Sequence, residues 1–268
     1  MKNYLAVLTL CIAVCTVSAR ADQITVLGSA YTFAVLGAST VTNTGPTTIF
    51  GNLGLAPGTS ITGFPPGVVT GGVINNNNAA AITAQSNAFS AYNFLAGLSP
   101  TQNLTGQDLG GLTLTPGVYS FASSAQLTGT LTLDFQGLSN VDIVLQVGST
   151  LTTASGSSIV IINQGTNDNV YYQVGSSATL GTGSTFLGDI LAQTSITLET
   201  AVDIPCGSAL ALNGAVTLDS DIVHNCSTTG SDVTPFAPPT PIPEPGTLVM
   251  VGTGLLAAAG AFRRRLFA

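Results

Sequence analysis

The sequence has almost no basic residues. Five of its 268 residues are Lys or Arg, and all five lie near the two ends: Lys2, Arg20, Arg263, Arg264 and Arg265. Residues 21–262 hold no cation but contain all twelve acidic residues. Such a surface cannot neutralise phosphates, which excludes nucleic-acid binding and electrostatic adhesion to anionic lipid.

Other absences narrow the function further. Charged residues make up 6% of the chain, against about 25% in an ordinary globular domain. An arginine clamp, a catalytic lysine and a P-loop are missing, and His224 is the single imidazole, so acid–base chemistry has few candidates. Because 45% of the residues are apolar, the chain is too hydrophobic to be disordered. We expect a folded protein that is not an enzyme.

The N-terminus has the pattern of a secretory signal peptide. Lys2 precedes an apolar run over residues 5–17, and residues 19–21 form a small-x-small cleavage site. The run is short for a membrane span, which needs about 20 residues. We therefore predict that residues 1–21 are removed and that the mature chain begins near Asp22.

The C-terminus has a three-part pattern. A Pro/Thr-rich linker (residues 228–243) is followed by a segment (residues 244–268) with an apolar run and a basic end. The motif residues are Pro243, Glu244, Pro245, Arg263, Arg264 and Arg265. This order resembles the PEP-CTERM sorting signal of Gram-negative bacteria, which implies a transmembrane segment cleaved by an exosortase. The arginines would stay cytoplasmic, placing the body outside the inner membrane; a permanent anchor has the same topology.

Two cysteines, Cys206 and Cys226, remain after removal of the signal peptide. In an oxidising compartment they are expected to form a disulfide, and closing a loop of about 20 residues would add about 3 kcal/mol of stability. One histidine and two cysteines make a closed zinc site improbable. We predict neither a metal site nor a cofactor.

The body, predicted over residues 22–227, reads as many short strands. Alternating segments are interrupted every six to ten residues by Gly, Ser or Asn. A Thr-Leu-x-Thr/Ser motif begins at Thr150, Thr179, Thr197 and Thr217, at offsets of 29, 18 and 20 residues. Equivalent segments about one 20-residue turn apart indicate a β-helix solenoid rather than a sandwich.

One segment has helical periodicity instead. Residues 75–78 are all Asn, and the Ala-rich segment that follows ends at Gly97, which predicts an Asn-capped helix over about residues 78–97. An apolar stripe recurs at helical spacing: Ala81, Ala84, Ala88, Ala91 and Leu95. We expect this face to lie along a sheet.

Several stretches resemble the microbial ice-binding protein family. They are residues 33–45, 57–67, 112–119, 148–158, 174–183 and 214–220. The resemblance implies a discontinuous right-handed β-helix with one α-helix alongside, and adsorption to an ice surface that slows ice growth and recrystallisation. Ser208 departs from the family, whose members often carry Arg there, which puts the local packing in question.

The threonine rows supply candidate ice-contacting residues: Thr150, Thr152, Thr179, Thr182, Ser184, Thr197 and Thr217. Rigid rows of Thr, Ser and Ala would present methyl and hydroxyl groups at the coil spacing. Three rows of residues remain as alternatives for the ice-contacting surface. The first holds the Thr-Leu-x-Thr/Ser positions, the second Ser155, Ser157, Thr182 and Ser184, and the third Thr40, Thr42 and Thr44. Glu199 and Asp219 are expected to disturb the first row.

Two other functions remain as alternatives. The sorting signal suits a surface or biofilm-matrix module that binds exopolysaccharide. A β-helix lyase or hydrolase would need two carboxylates, such as Asp219 with Asp221 or Glu199 with Asp203, but nothing cationic is present to hold an anionic sugar. A calcium site at Asp219 and Asp221 lacks a full ligand spacing. Asp168 and His224 read as turn and loop residues.

Overall fold

The computed structural model describes residues 26–226. The predicted signal peptide, the linker and the sorting segment, including its Pro-Glu-Pro motif and arginines, lie outside these residues. Within residues 26–226 no helix is long and apolar enough to cross a membrane.

The described chain is mainly β, with one long helix, as the sequence predicts. A short 3-10 helix (Gly28–Thr32) precedes the first strand, and α1 spans Ala79–Ala96. The strands, in chain order, are β1 (Phe33–Gly37), β2 (Thr40–Thr44), β3 (Thr48–Phe50), β4 (Asn52–Leu55), β5 (Ser60–Thr62), β6 (Val68–Thr70), β7 (Ile74–Asn76), β8 (Gln102–Asn103), β9 (Thr113–Leu114), β10 (Gly117–Phe121), β11 (Ala125–Leu127), β12 (Thr130–Asp134), β13 (Asp142–Val147), β14 (Leu151–Thr153), β15 (Ser158–Ile162), β16 (Asn169–Val174), β17 (Ala178–Leu180), β18 (Thr185–Ala192), β19 (Ile196–Leu198), β20 (Asp203–Ala211), β21 (Val216–Asp219) and β22 (Ile222–His224).

The strands stack into three faces that surround one core. The threonine face has the order β11-β14-β17-β19-β21-β2-β5, and the helix face has the order β8-β10-β13-β16-β18-β20-β1-β4-β7. The third face has the order β9-β12-β15-β18-β20-β22-β3-β6. β18 and β20 bend from one face to another at Gly188 and Gly207, whose φ values of 111° and 150° favour glycine. Neighbouring strands pair in parallel, as stacked coils require.

The stacking order departs from chain order at one place. The N-terminal strands β1, β2 and β3 lie against β20, β21 and β22 near the C-terminus of the body. The strand that follows α1 is β8, at the opposite end of the helix face. The polypeptide thus builds one end of the stack first, crosses its full length through α1, and returns coil by coil to the first turns.

Inward side chains from all three faces form the main core. Val41, Ile49, Leu145, Leu198 and Val216 are among the fully buried members. Each coil contributes apolar residues at alternate positions, because successive side chains of a strand point to opposite sides of the sheet.

Helix α1 covers the helix face with a stripe of small residues. Asn78 caps its N-terminus by accepting a hydrogen bond from the Ala81 amide. The buried residues are Ala81, Ala84, Ala88, Ala91 and Leu95, the stripe that the sequence predicts. Two glutamines tie α1 to the sheet: Gln85 donates to the carbonyls of Ala211 and Leu212, and Gln146 donates to those of Leu95 and Leu98.

The disulfide between Cys206 and Cys226 is confirmed. It joins β20 to the residue that ends the described chain, and the two Cα atoms are 5.0 Å apart. The loop that it closes spans 20 residues. It therefore fixes the last coil to the coil before it.

Ser208 is fully buried in β20 and lies beside Asp189 of β18. Its hydroxyl donates a 2.6 Å hydrogen bond to the Asp189 carboxylate. No Lys or Arg lies within the described residues to balance that charge. Burial raises the pKa of Asp189 to about 6, although the serine hydrogen bond works in the opposite direction.

We expect the fold to lose stability as the pH rises from about 4 to about 7. The folded protein binds a proton at Asp189 more tightly than the unfolded chain does, so the raised pKa stabilises the fold only below that range. Burial also raises the pKa of Asp221, to about 7, which acts in the same direction. For Asp189 alone, a shift of two pKa units corresponds to about 3 kcal/mol.

Denaturant unfolding at several pH values measures this dependence. Asp189→Asn should flatten the slope between pH 4 and 6.5 and raise stability at neutral pH. Asp134→Asn is the matched control, because local hydrogen bonds lower the pKa of Asp134. Its titration therefore changes the stability of the fold only below about pH 4. An unchanged slope in Asp189→Asn would contradict the prediction.

Candidate functional site

The threonine face carries a column of six threonines on neighbouring strands. The strand register aligns one outward residue from each coil, in the order Gln126, Thr152, Thr179, Thr197, Thr217, Thr42 and Thr62. All are exposed or half-buried, whereas the residues on either side of each are buried, except at Thr62, where Ile61 and Gly63 are half-buried. Six equivalent hydroxyls and methyls therefore follow one line at about 4.8 Å spacing.

A second column runs beside the first, two residues earlier in each coil. Its members are Ser124, Thr150, Ser177, Ser195, Ala215, Thr40 and Ser60. Residues two apart on a strand point to the same side, about 6.7 Å from one another. Thr150 donates a 2.8 Å hydrogen bond to the Ser124 hydroxyl. The two columns together make an almost uniform surface of small hydroxyl side chains.

The surface is held rigidly from beneath. Val41, Leu151, Ala178, Ile196 and Val216, which precede the threonines of the first column, are fully buried. Threonine is branched at Cβ and has few χ1 rotamers on a strand. Ordering these side chains on contact with a partner surface therefore costs little entropy.

Charge enters the face at its β11 end, where Asp108 is bridged to Gln126, and along one edge, two residues after the first column. Both oxygens of the Asp219 carboxylate accept hydrogen bonds there, from the hydroxyls of Thr200 at 2.6 Å and Ser220 at 3.1 Å. Glu199 is exposed. The disturbance expected from these two acids is thus confined to this edge, and at Asp219 local hydroxyls bind the carboxylate.

The first and third of the three candidate rows from the sequence lie on the same surface. Thr150, Thr152, Thr179, Thr197 and Thr217 share the threonine face with Thr40, Thr42 and Thr44, because β2 pairs with β21. Sequence offsets alone do not reveal this, since the pairing joins residues 175 positions apart, Thr42 and Thr217. The structure adds Thr62, Ser60, Ser177 and Ser195. Thr62 and Ser60 could have been found from the sequence, because the segment Ser60-Ile61-Thr62 alternates in the same way as Thr40-Val41-Thr42.

The remaining row is not part of this surface. Ser184 is only 1% exposed and Ser157 only 2%, so the prediction that Ser184 contacts a surface is wrong. The Ser184 hydroxyl lies 3.5 Å from that of Thr153, which is also buried. Thr182 is exposed but lies in the turn between β17 and β18, at the corner of the threonine face.

Among the carboxylates considered for catalysis, Asp221 accepts hydrogen bonds from backbone amides, as does the predicted turn residue Asp168. Asp221 is buried and accepts from the amides of Val202 and Asp219, each at 2.8 Å. Asp168 is buried and accepts from Val141 and Gly165. His224 stacks on Phe50 with ring centroids 3.8 Å apart. Within residues 26–226 no group of three or more His, Cys, Asp or Glu side chains is placed to bind a metal.

Known proteins share both the sequence and the fold. An ice-binding protein from Nostoc sp. (strain HG1) is 55% identical over 248 residues, which cover 92% of this chain and 90% of the relative. The crystal structure of an ice-binding protein from the Antarctic ascomycete Antarctomyces psychrotrophicus is 40% identical with a TM-score of 0.70, covering 74% of this chain and 96% of that one. An ice-binding protein from an Antarctic biological consortium is 43% identical with a TM-score of 0.71, covering 75% and 90%.

These likenesses also bear on the extent of the folding unit. The matched region makes up nearly all of the fungal chain, so that relative contains little beyond the part that matches this chain. Residues 241–265 match the PEP-CTERM protein-sorting motif, and residues 35–224 match the Ice-binding-like family over almost the whole described body. The chain belongs to the Ice-binding-like family and carries a PEP-CTERM sorting motif.

Proposed function

We propose that this protein adsorbs to ice through the threonine face. The observation that carries the proposal is the column of six threonines in strand register, from Thr152 to Thr62. Its relatives from Nostoc and Antarctomyces are named as ice-binding proteins. Adsorption would hold back growth of the ice front and slow recrystallisation.

The geometry suits a crystalline partner better than a flexible one. The hydroxyls and methyls repeat at about 4.8 Å along the stack and about 6.7 Å along each strand. Each contact is weak, but many act together on a rigid scaffold, so the whole surface dissociates slowly. Neutral hydroxyls need not give up the strong hydration that a carboxylate or ammonium would lose against ice.

We further propose that the solenoid is right-handed, because parallel strands joined by a crossover take this hand in about 98% of cases. The sorting motif supports export of the body. In this proposal residues 1–21 are removed, residues 247–262 anchor the protein briefly in the inner membrane, and an exosortase then acts at the sorting signal.

Single-crystal growth in a nanolitre osmometer tests the proposal. The protein used is the oxidised chain from Asp22 to Thr234. We expect faceted crystals that hold their size over a measurable temperature gap. Round discs that grow freely in a sample with intact secondary structure would overturn the proposal; retention of that sample on isolated exopolysaccharide would favour a matrix module.

A bulky residue in the middle of the column should remove most of the activity. Thr217 is exposed, so Thr217→Tyr leaves the core intact but lifts the face away from ice. We expect the hysteresis gap to fall by about threefold or more, because neighbouring contacts are lost together. Thr130→Tyr is the matched control, since Thr130 is an exposed threonine on the third face. Equal losses in both variants would show that ice contacts do not lie on the threonine face.

Removing the edge charge should have the opposite effect. Glu199→Gln keeps the shape of the side chain but loses the strong hydration of the carboxylate. We expect the hysteresis gap to widen, by up to about twofold if roughly 0.4 kcal/mol of desolvation cost is relieved. Asp203→Asn on the third face serves as the control and should change nothing. A narrower gap in Glu199→Gln would mean that the carboxylate assists adsorption.

A further inference from the structure

The two ends of the coil stack are built differently. At the end formed by β8, β9 and β11, the loop that joins β8 to β9 buries its own Leu104 and Leu109 in the main core. Asp108 in that loop accepts from the amides of Gly110 and Thr128. The other end is formed by β5, β6 and β7, and each of these strands pairs with a single neighbour among the described strands. We call this second surface the open end.

The open end exposes apolar side chains. Val68 is 54% exposed, Val73 61% and Ile74 46%. Three of the large apolar residues most exposed in the described chain therefore lie within seven residues of one coil. Ile61, Phe64 and Val69, which pack against the core from the same coil, are only partly buried. Within residues 26–226, these strand edges and this apolar area are left exposed to water.

Charge is distributed unevenly along the stack. Residues 26–107, which include the whole open end, contain no Asp, Glu, Lys or Arg. All nine acidic residues of the described body lie between Asp108 and Asp221. Two copies of the body repel each other over most of their surfaces, but not where two open ends meet.

We infer that two copies of this chain associate end to end through their open ends. A two-fold axis normal to the threonine face places β5 beside the β5 of the second copy, and β6 beside its β7. Each of these pairs is antiparallel, because the coil of the rotated copy runs in the opposite sense. The same contact covers Val68, Val73 and Ile74.

The shape of the open end favours a second copy over an unrelated partner. Its three short strand edges lie on three sides of one coil, and an added peptide strand can extend only one of them. A second open end extends all three at once. The strands have only three residues each, so the interface is small and the dimer is expected to be weak and reversible.

The association has a consequence for the threonine face, and this consequence alone rests on the proposed function. The two threonine faces lie on the same side of the dimer, and their columns continue one another. The surface available to ice is thereby doubled in length. The association itself is measured in solution without ice, so it stands or fails separately from ice adsorption.

Sedimentation velocity on the oxidised chain from Asp22 to Thr234 tests for the dimer. We expect the mean mass to rise toward twice the monomer value as the concentration approaches about 100 μM. Val68→Asp and Val73→Asp each place a charge in the interface and should return the mass to that of the monomer. Val160→Asp is the matched control, because Val160 is an exposed valine on the third face; it should leave the dimer intact.

Distances between spin labels test the orientation of the two copies. Labels at Thr62→Cys should lie within about 20 Å of each other across the interface, whereas labels at Gln126→Cys should lie about 60 Å apart, given one strand spacing per coil. A mass that stays monomeric at every concentration would overturn the inference. So would a dimer that survives both aspartate variants, or one that brings the Gln126 labels close together.

Discussion

The register between neighbouring coils is the constraint on which this molecule depends. Each parallel strand pairs with the next so that inward residues meet inward residues, and a shift of one residue would turn the core outward. The same alignment sets outward residues in columns. Core and threonine face are thus two results of one hydrogen-bond ladder, and a mutation that shifts a coil would damage both.

Much of the fold follows from the sequence because the relevant signals are local. Alternation predicts the short strands, and the Asn cap with the alanine stripe predicts α1 closely. The pairing of Cys206 with Cys226 follows from their number and spacing. Signals of this kind need only a few adjacent residues, and most of the tertiary structure agrees with them.

The candidate site is predicted less completely, because it depends on long-range pairing. The Thr-Leu-x-Thr/Ser motifs identify five of the residues that lie on the threonine face. That Thr42 and Thr62 extend the same column follows only from the contact between β2 and β21, which no local pattern encodes. The prediction for Ser184 is wrong for a related reason. Ser184 lies at a corner where the chain turns inward, and the sequence pattern there does not distinguish it from a serine on an exposed strand. The uneven charge along the chain, by contrast, is visible in the sequence but gains meaning only once the coils are stacked.

The return of the last coils to the first has a consequence for the order of folding. Strands β1, β2 and β3 are synthesised first, yet their partners β20, β21 and β22 follow more than 170 residues later. Until then the earliest coils have one side of each strand unsatisfied, and contacts of such long sequence separation form slowly. Completion of the fold must therefore wait until nearly the whole body has been synthesised. The N-terminal coils close the structure last, although they are made first.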